Sequence, residues 1–262
     1  MTTATDRQFI RLEIERRVAI ITVDHPPVNT INGVALSELH GALEELANDD
    51  DVGAIILTGT GKSFVGGLDV PEVYEVLANG DPAQHPLWHG HLVTSRIESF
   101  PKPFVAAING LCLGVGMELA VACHLRIASE RAGFQHPEID LGLMPGFGGT
   151  QRLPRLIGPA HALDMLLTGE PVTAHEAYRI GLVNRVVPPA VLLGEARTLA
   201  ERLARRPAQA MQNIMRAVRE AQSLDLAKGL ELENQLYLET SRTENAREGV
   251  QAFVERRAPR FK

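Results

Sequence analysis

FVAAINGLCLGVGMELA, residues 104–120, is the stretch that decides the fold class of this chain. Its first five residues, Phe104–Ile108, form a short apolar run that predicts a buried strand. A turn rich in glycine follows, and the apolar residues around Glu118 then predict a helix. A buried strand, a glycine turn and a helix in such close succession are typical of an α/β protein.

Glu118 is the one charged residue of this stretch. A glutamate is rarely buried without a partner, because burying an unpaired carboxylate costs several kcal/mol or raises its pKa. A site that needs a proton carrier in a dry pocket explains Glu118 better than a packing role does. A partly exposed helix position is the alternative that the residues themselves leave open.

Two further segments carry candidate functional residues. In 64–69 (FVGGLD), the glycines allow a close approach of the backbone to a ligand, and Asp69 either belongs to that site or caps a following helix. In 134–142 (FQHPEIDLG), Glu138 precedes a glycine-rich loop, 142–149, whose N–H groups can bind a reacting water. His136 is given no role beyond packing or hydrogen bonding.

Outward from these segments, the pattern predicts further strands and helices before residue 190. Alternating or continuous apolar runs predict strands at 9–15, 18–24, 53–58 and 125–129. Helical spacing predicts helices at 34–48, 70–79 and 88–99, and a capping box at 173–176 predicts a short helix that ends at Gly181.

From residue 189 the pattern becomes entirely helical, with stretches at 189–206, 207–222, 225–242 and 244–257. We therefore expect a core over 1–190 and a helical region over 191–262. The apolar faces of these helices need a partner surface, which predicts a role in assembly. The residues that form these faces are Leu192, Leu199, Leu203, Met211, Ile214, Met215 and Val218.

Composition narrows the range of partners. The 262 residues carry a formal net charge of −6, which opposes nucleic-acid binding because that function needs a basic surface. No apolar run approaches the roughly 20 residues of a membrane span, and residues 1–13 lack the apolar segment of a signal peptide. We expect a soluble, cytoplasmic protein with no nucleic-acid and no membrane partner.

Neither a metal site nor a nucleotide site is predicted. Cys112 and Cys123 lack CxxC spacing, which argues against a zinc cluster or a disulfide scaffold and fits a reducing compartment. The segment 59–63 (GTGKS) ends like a phosphate-binding P-loop, but Ile56 stands where that motif requires glycine.

Together, the three segments at 64–69, 109–120 and 134–152 resemble the crotonase family, whose best-known member is enoyl-CoA hydratase. The resemblance extends through 106–110, 167–169 and 181–183 into the helical tail, so it covers essentially the whole chain. It implies an α/β fold, a crotonase-like spiral of ββα turns, with a C-terminal helical trimerisation region. It also implies a homotrimer or homohexamer.

The resemblance further implies a site for an acyl-CoA substrate, with no cofactor and no metal. An oxyanion hole maps to the backbone N–H groups of Gly66 and Val115, where the family usually has glycine at the second position. The CoA-contacting stretch maps to Gly66, Gly67, Leu68 and Asp69, and the loop glycine beside the catalytic water maps to Gly146.

In the hydratase pattern, Glu118 positions and deprotonates the water and Glu138 delivers a proton to the α-carbon. An enoyl-CoA isomerase, or an acyl-CoA hydrolase or lyase of the same fold, is the alternative, and retention of Glu118 favours hydration. A non-catalytic RNA-binding relative is a distant alternative that the acidic balance opposes.

The ends of the substrate are less defined by the sequence. Lys62 and Lys262 are weak candidates for the CoA phosphates, because an acidic protein must offset phosphate charge locally. Tyr74, Leu77, Leu87 and Trp88 are expected near an apolar acyl group, without fixing its length.

Overall fold

Ten strands form two sheets in the computed structural model, which describes residues 7–81 and 84–261. The larger sheet has six strands in the order β1-β2-β3-β5-β7-β10, and the smaller has four in the order β4-β6-β8-β9. The strands are β1 (Ile10–Glu15), β2 (Val18–Val23), β3 (Ala54–Gly59), β4 (Ser63–Val65), β5 (Phe104–Ile108), β6 (Leu111–Leu113), β7 (Leu125–Ser129), β8 (Gly133–Gln135), β9 (Val172–Thr173) and β10 (Arg185–Val187).

Helices follow these strands along the chain. They are α1 (Gly33–Ala47), α2 (Val70–Asn79), α3 (Gly90–Glu98), α4 (Val115–Ala122), α5 (Gly149–Ile157), α6 (Pro159–Thr168), α7 (Ala174–Arg179), α8 (Leu192–Ala204), α9 (Ala208–Glu220), α10 (Leu226–Ser241) and α11 (Glu244–Val254). The predicted hairpin is confirmed, since β1 and β2 pair antiparallel. The predicted helices at 34–48 and 70–79 are confirmed as well.

Successive strands alternate between the two sheets. β3 and β4, then β5 and β6, then β7 and β8 each place one strand in the larger sheet and one in the smaller, and helices follow each pair. Within each sheet these successive strands pair in parallel. The chain therefore winds as a spiral of ββα turns, which confirms the predicted fold class.

The core lies on both faces of the larger sheet. Along β3, Ile55 and Leu57 belong to the apolar cluster inside the spiral, while Ala54 and Ile56 belong to a second cluster on the opposite face. Alternate residues of a strand point to opposite faces, and a parallel sheet covered on both faces needs a continuous apolar run. The sequence AIILT of β3 meets that need.

Helix α8 covers the second face of the larger sheet. Leu192, Ala196, Leu199 and Ala200 are buried there against the strands. For α8, the partner surface expected from its apolar face is therefore the chain's own sheet. The division into 1–190 and 191–262 stays a prediction.

The remaining tail helices pack on one another. Asn213 of α9 is buried, and its side-chain amide donates to the Leu236 carbonyl at 3.1 Å and to Thr240 Oγ1 at 2.8 Å in α10. The predicted cap of α7 is confirmed, because the Thr173 side chain accepts the Glu176 N–H. Among the described residues, no helix has the length and apolar character needed to cross a membrane.

Candidate active site

A cavity of about 340 Å³ lies where the loops after β4, β6 and β8 converge. These three strands are parallel neighbours in the smaller sheet, so their carboxyl ends meet at one edge. The three segments singled out in the sequence follow these ends directly. The cavity is lined by Gly66, Gly67, Leu68, Val70, Val73, Gly114, Val115, Glu118, Pro137, Glu138, Leu141, Leu143, Met144, Gly146 and Phe147.

Glu118 lies in the first turn of α4 and is only 2% exposed. Its Oε1 accepts two backbone hydrogen bonds, from the Phe147 N–H at 2.7 Å and the Gly149 N–H at 2.8 Å. Sequence reasoning missed these two donors, which come from the glycine-rich loop and the start of α5. The alternative of a partly exposed helix position is excluded.

Burial raises the pKa of Glu118 to about 7. The hydrogen bond from Gly149, the nearby His136 and the hydrogen bond from Phe147 counteract part of the rise, and Glu138 adds to it. A carboxyl group that titrates near neutral pH can both take up and release a proton there. The buried position thus gives Glu118 the property of a proton carrier.

Glu138 opens the 3₁₀ turn Pro137–Leu141 that follows β8, and its side chain is 17% exposed. It lies against the turn before α4, since a Cβ added at Gly114 would come within 3.1 Å of Glu138 Oε1. Gly114 also has a φ of 51°, a conformation that favours glycine. Glycine at 114 therefore allows the two carboxyl groups to face one cavity.

Gly66 and Val115 both line this cavity. A side chain at Gly66 would collide with Val28, whose carbonyl oxygen would lie 2.7 Å from the added Cβ. Val115 is the first residue of α4, where backbone N–H groups have no intrahelical acceptor. Its side chain packs in the apolar cluster inside the spiral, so the β-branched group fits this position.

Of the other predicted binding residues, three line the cavity and one does not. Gly67, Leu68 and Gly146 line the cavity. Asp69 is not among the lining residues, and its Oδ1 caps α2 by accepting the Glu72 N–H at 3.1 Å. This is the capping role that the sequence left open.

Lys62 is exposed and precedes β4, whereas Gly66 follows it. Lys62 is not among the residues that line the cavity. Its contact with CoA stays a prediction. Lys262 and the side chain of Trp88 lie outside the described part of the chain.

The residues that line the cavity differ from those expected near the acyl group. Tyr74 is 71% exposed and Leu77 is also exposed, while Leu87 is fully buried. The residues of α2 that line the cavity are Val70 and Val73. Helical spacing alone could not have shown this, because Val70, Val73 and Tyr74 share a face and only packing decides which of them turns inward.

His136, which the sequence left without a role, is buried beside both glutamates. Its Nδ1 lies 3.3 Å from both carboxyl oxygens of Glu138. Its position two residues before Glu138 was the available signal.

Among the described residues, no group of three His, Cys, Asp or Glu side chains could hold a metal ion.

Comparison with known proteins agrees with this architecture. A family profile described as enoyl-CoA hydratase/isomerase matches residues 13–262. The short-chain-enoyl-CoA hydratase of Clostridium acetobutylicum is 39% identical over 248 residues, covering 94% of this chain and 94% of that protein. The 2,3-dehydroadipyl-CoA hydratase of Escherichia coli K12 is 39% identical over 251 residues, covering 95% and 96%.

The crystal structure of an enoyl-CoA hydratase from Bacillus anthracis has the same fold. It superposes with a TM-score of 0.92 at 36% sequence identity, covering 97% of this chain and 99% of that one. The likeness thus holds for sequence and for three-dimensional structure over nearly the full length. The chain belongs to the enoyl-CoA hydratase/isomerase (crotonase) family.

Proposed function

We propose that this protein is an enoyl-CoA hydratase, a lyase that adds water syn across the double bond of a 2-enoyl-CoA thioester to give a 3-hydroxyacyl-CoA. The observation that carries the proposal is the pair of carboxyl groups, Glu118 and Glu138, which line one apolar cavity beside the N-terminus of α4. The full-length likeness to enoyl-CoA hydratases supports it.

In this mechanism, the thioester carbonyl oxygen accepts the backbone N–H groups of Gly66 and Val115. Adding hydroxide to the β-carbon moves negative charge onto that oxygen, and the two donors stabilise the enolate-like state. Losing one such donor typically costs about 10²–10³-fold in rate. The positive end of the α4 helix dipole acts in the same direction.

The two glutamates move the protons. Glu118 takes a proton from water as the water oxygen bonds to the β-carbon, and Glu138 gives its proton to the α-carbon. Glu138 then ends ionised and Glu118 protonated, and return of one proton from Glu118 to Glu138 restores both. Glu118 Oε1 already accepts two N–H groups, which leaves Oε2 as the oxygen to receive the water proton.

The acyl group of the substrate is apolar in this proposal. The cavity wall beyond the glutamates consists of aliphatic and aromatic side chains, and its described lining contains no Lys or Arg to pair with a distal carboxylate. Relatives with equal identity act on different acyl groups by their names, short-chain enoyl-CoA and 2,3-dehydroadipyl-CoA, so the likeness does not select between them. The charge of the wall favours the uncarboxylated class.

A panel of enoyl-CoA thioesters tests the reaction and the acyl class together. We expect loss of absorbance at the conjugated-thioester band with unbranched apolar 2-enoyl-CoAs, and weak activity with a 2-enoyl-CoA that carries a terminal carboxylate. A 3-enoyl-CoA included in the panel detects isomerase activity. No absorbance loss with any 2-enoyl-CoA, or conversion of the 3-enoyl-CoA alone, would overturn the proposal.

Amide variants test the two roles separately. General acid–base groups contribute about 10²–10⁴-fold each, so Glu118→Gln and Glu138→Gln should each lose hydration by that amount. Glu138→Gln should also lose α-proton exchange of a bound saturated acyl-CoA in D₂O, while Glu118→Gln keeps some exchange. If Glu118→Gln instead lost α-proton exchange while Glu138→Gln kept it, the two roles would be reversed. Hydration within twofold of wild type in either variant would refute the assignment.

A further inference from the structure

We propose that His136 is a positioning residue for Glu138, which holds that carboxyl group toward the cavity by donating its Nδ1–H. The inference rests on the proposed function, because it specifies how the proton donor to the α-carbon is oriented. Nothing in the sequence beyond its nearness to Glu138 suggested this role.

The contact joins a fully buried ring to the partly exposed Glu138 carboxyl group. The His136 side chain is 0% exposed, and its Nδ1 lies 3.3 Å from Oε1 and 3.3 Å from Oε2 of Glu138. Among the described residues, no other hydrogen-bond partner of these oxygens is found. The equal distances mean that both oxygens of the carboxyl group share the Nδ1 donor.

The backbone between the two side chains is stiff. Pro137 separates them, and the proline ring fixes its own φ near −65° and restricts the residue before it. His136 itself follows directly after β8, whose pairing with β6 fixes the start of the segment. A ring anchored in the core therefore sets where the Glu138 carboxyl group lies.

The second ring nitrogen decides the tautomer. His136 Nε2 is buried without a hydrogen-bond partner among the described residues. A proton on Nε2 would leave a buried donor unpaired at a cost of about 1–3 kcal/mol, whereas a proton on Nδ1 meets the carboxylate. We assign a proton to Nδ1 on this ground.

The Cε1 edge of the His136 ring faces Glu118, the other carboxyl group of the site. A Cβ added at Gly149 would lie 3.0 Å from His136 Cε1 and 3.1 Å from Glu118 Oε1, so the ring lies beside both carboxyl groups. Glu118 is held by two backbone donors of its own, but Glu138 is not. Removal of the His136 donor should therefore slow proton transfer by Glu138 more than proton transfer by Glu118.

Two variants of His136 separate hydrogen bonding from packing. His136→Asn keeps an N–H donor close to the Nδ1 position, and His136→Leu keeps the bulk without a donor. Misplacing a catalytic group by about 1 Å can cost about 10²-fold. We expect His136→Leu to lower kcat and α-proton exchange by about 10-fold to 10²-fold with KM within about twofold, while His136→Asn keeps both rates within about threefold of wild type.

Equal loss of kcat in the two variants would show that His136 only packs and would overturn the inference. Wild-type rates in His136→Leu would overturn it as well. Because the folding of His136→Leu is not assured, ¹⁵N spectra of the histidines in the wild-type protein provide an independent test, with His136→Asn identifying the signal. The Nδ1–H tautomer is expected, and the Nε2–H tautomer would overturn the inference. Failure of the wild type to hydrate any enoyl-CoA would instead reject the proposed function.

Discussion

At the scale of single residues, Glu118 combines a chemical role with a cost in stability. Its carboxyl group is buried in a helix that is otherwise apolar, and two backbone N–H groups bind the same oxygen. These bonds offset only part of the loss of hydration, so the pKa stays raised at about 7. A buried proton carrier of this kind is destabilising whenever it is ionised.

Glu118→Gln should therefore change the pH dependence of stability. The pKa of Glu118 is about 7 in the folded state and 4.5 for the free group, so the folded protein binds the extra proton between these values. Its free energy of unfolding then falls as pH rises from about 4.5 to 7. Glutamine keeps the acceptor for both N–H groups without ionising. The variant should gain up to about 3 kcal/mol over wild type between pH 5 and pH 8.

Urea unfolding of both proteins at the two pH values measures this gain. Glu75→Gln, at an exposed position of α2, is the matched control and should show a constant difference from wild type. Parallel stability curves for Glu118→Gln and wild type would mean that Glu118 is ionised at no cost.

Asp69 offers a second test at this scale, because its carboxylate caps α2. Losing such a cap costs about 0.5–2 kcal/mol, so Asp69→Ala should lower the free energy of unfolding by about 1 kcal/mol. Asp69→Asn keeps an acceptor and should stay close to wild type. The KM for an enoyl-CoA should be unchanged in Asp69→Asn, and a raised KM there would support the predicted contact of Asp69 with CoA.

At the scale of elements, α3 and the glycine-rich loop 142–149 hold each other in place. The Phe147 carbonyl accepts Thr94 Oγ1 at 2.6 Å and an Arg152 guanidinium N–H at 3.0 Å. The same residue donates its N–H to Glu118, and its ring packs on Gly90 at the start of α3. A helix that does not touch the reacting atoms thereby fixes a donor to the proton carrier.

Gly90→Ala should disturb this arrangement. An added Cβ would lie 2.0 Å from Phe147 Cε2 and 2.1 Å from Cζ, so the buried ring must move. Overpacking of this kind costs about 1–3 kcal/mol, and the shift of Phe147 should also lower kcat. In a Phe147→Ala background the clash is gone, so Gly90→Ala should then cost little.

Denaturant unfolding of the four proteins measures the coupling of Gly90 and Phe147. Gly41→Ala is the matched control, since a Cβ at that helical position meets no atom within 4 Å. Additive costs of the two changes would show that the ring and the glycine do not restrict each other.

At the scale of the whole molecule, the tail helices α9 to α11 expose a large apolar surface. Phe253 is 85% exposed, and further apolar side chains along these helices are exposed as well. Monomeric proteins rarely expose large apolar patches, which mark protein–protein contacts. The exposed apolar residues of this surface are Ile214, Val218, Leu226, Leu230, Tyr237, Leu238, Val250, Phe253 and Val254.

Light scattering at micromolar concentration should accordingly give three or six times the chain mass of 28.5 kDa. Phe253→Asp should shift the mass toward that of a single chain, because it places a charge where the partner surface is expected. Val34→Asp, at an exposed position of α1, is the matched control and should leave the mass unchanged. A wild-type mass of 28.5 kDa would contradict the predicted trimer or hexamer.

The sequence by itself determined the longer elements and singled out the residues of the candidate site. The longer elements repeat their hydrophobic pattern often enough to be predicted. They are the β1–β2 hairpin, α1, β3, α2, β5, β7 and the four tail helices. Glu118 could be singled out because a lone carboxylate in an apolar helix has few explanations other than function. The crotonase resemblance connected these pieces into one spiral fold.

Only the tertiary structure decided what brings the site together. The smaller sheet consists of strands of two or three residues, which are too short to carry a recognisable period. Yet the parallel pairing of β4, β6 and β8 aligns the segments after Val65, Leu113 and Gln135 at one edge. The donors to Glu118 and the burial of His136 depend on contacts between distant segments. A local pattern cannot show them, because the contacting residues are far apart in the sequence.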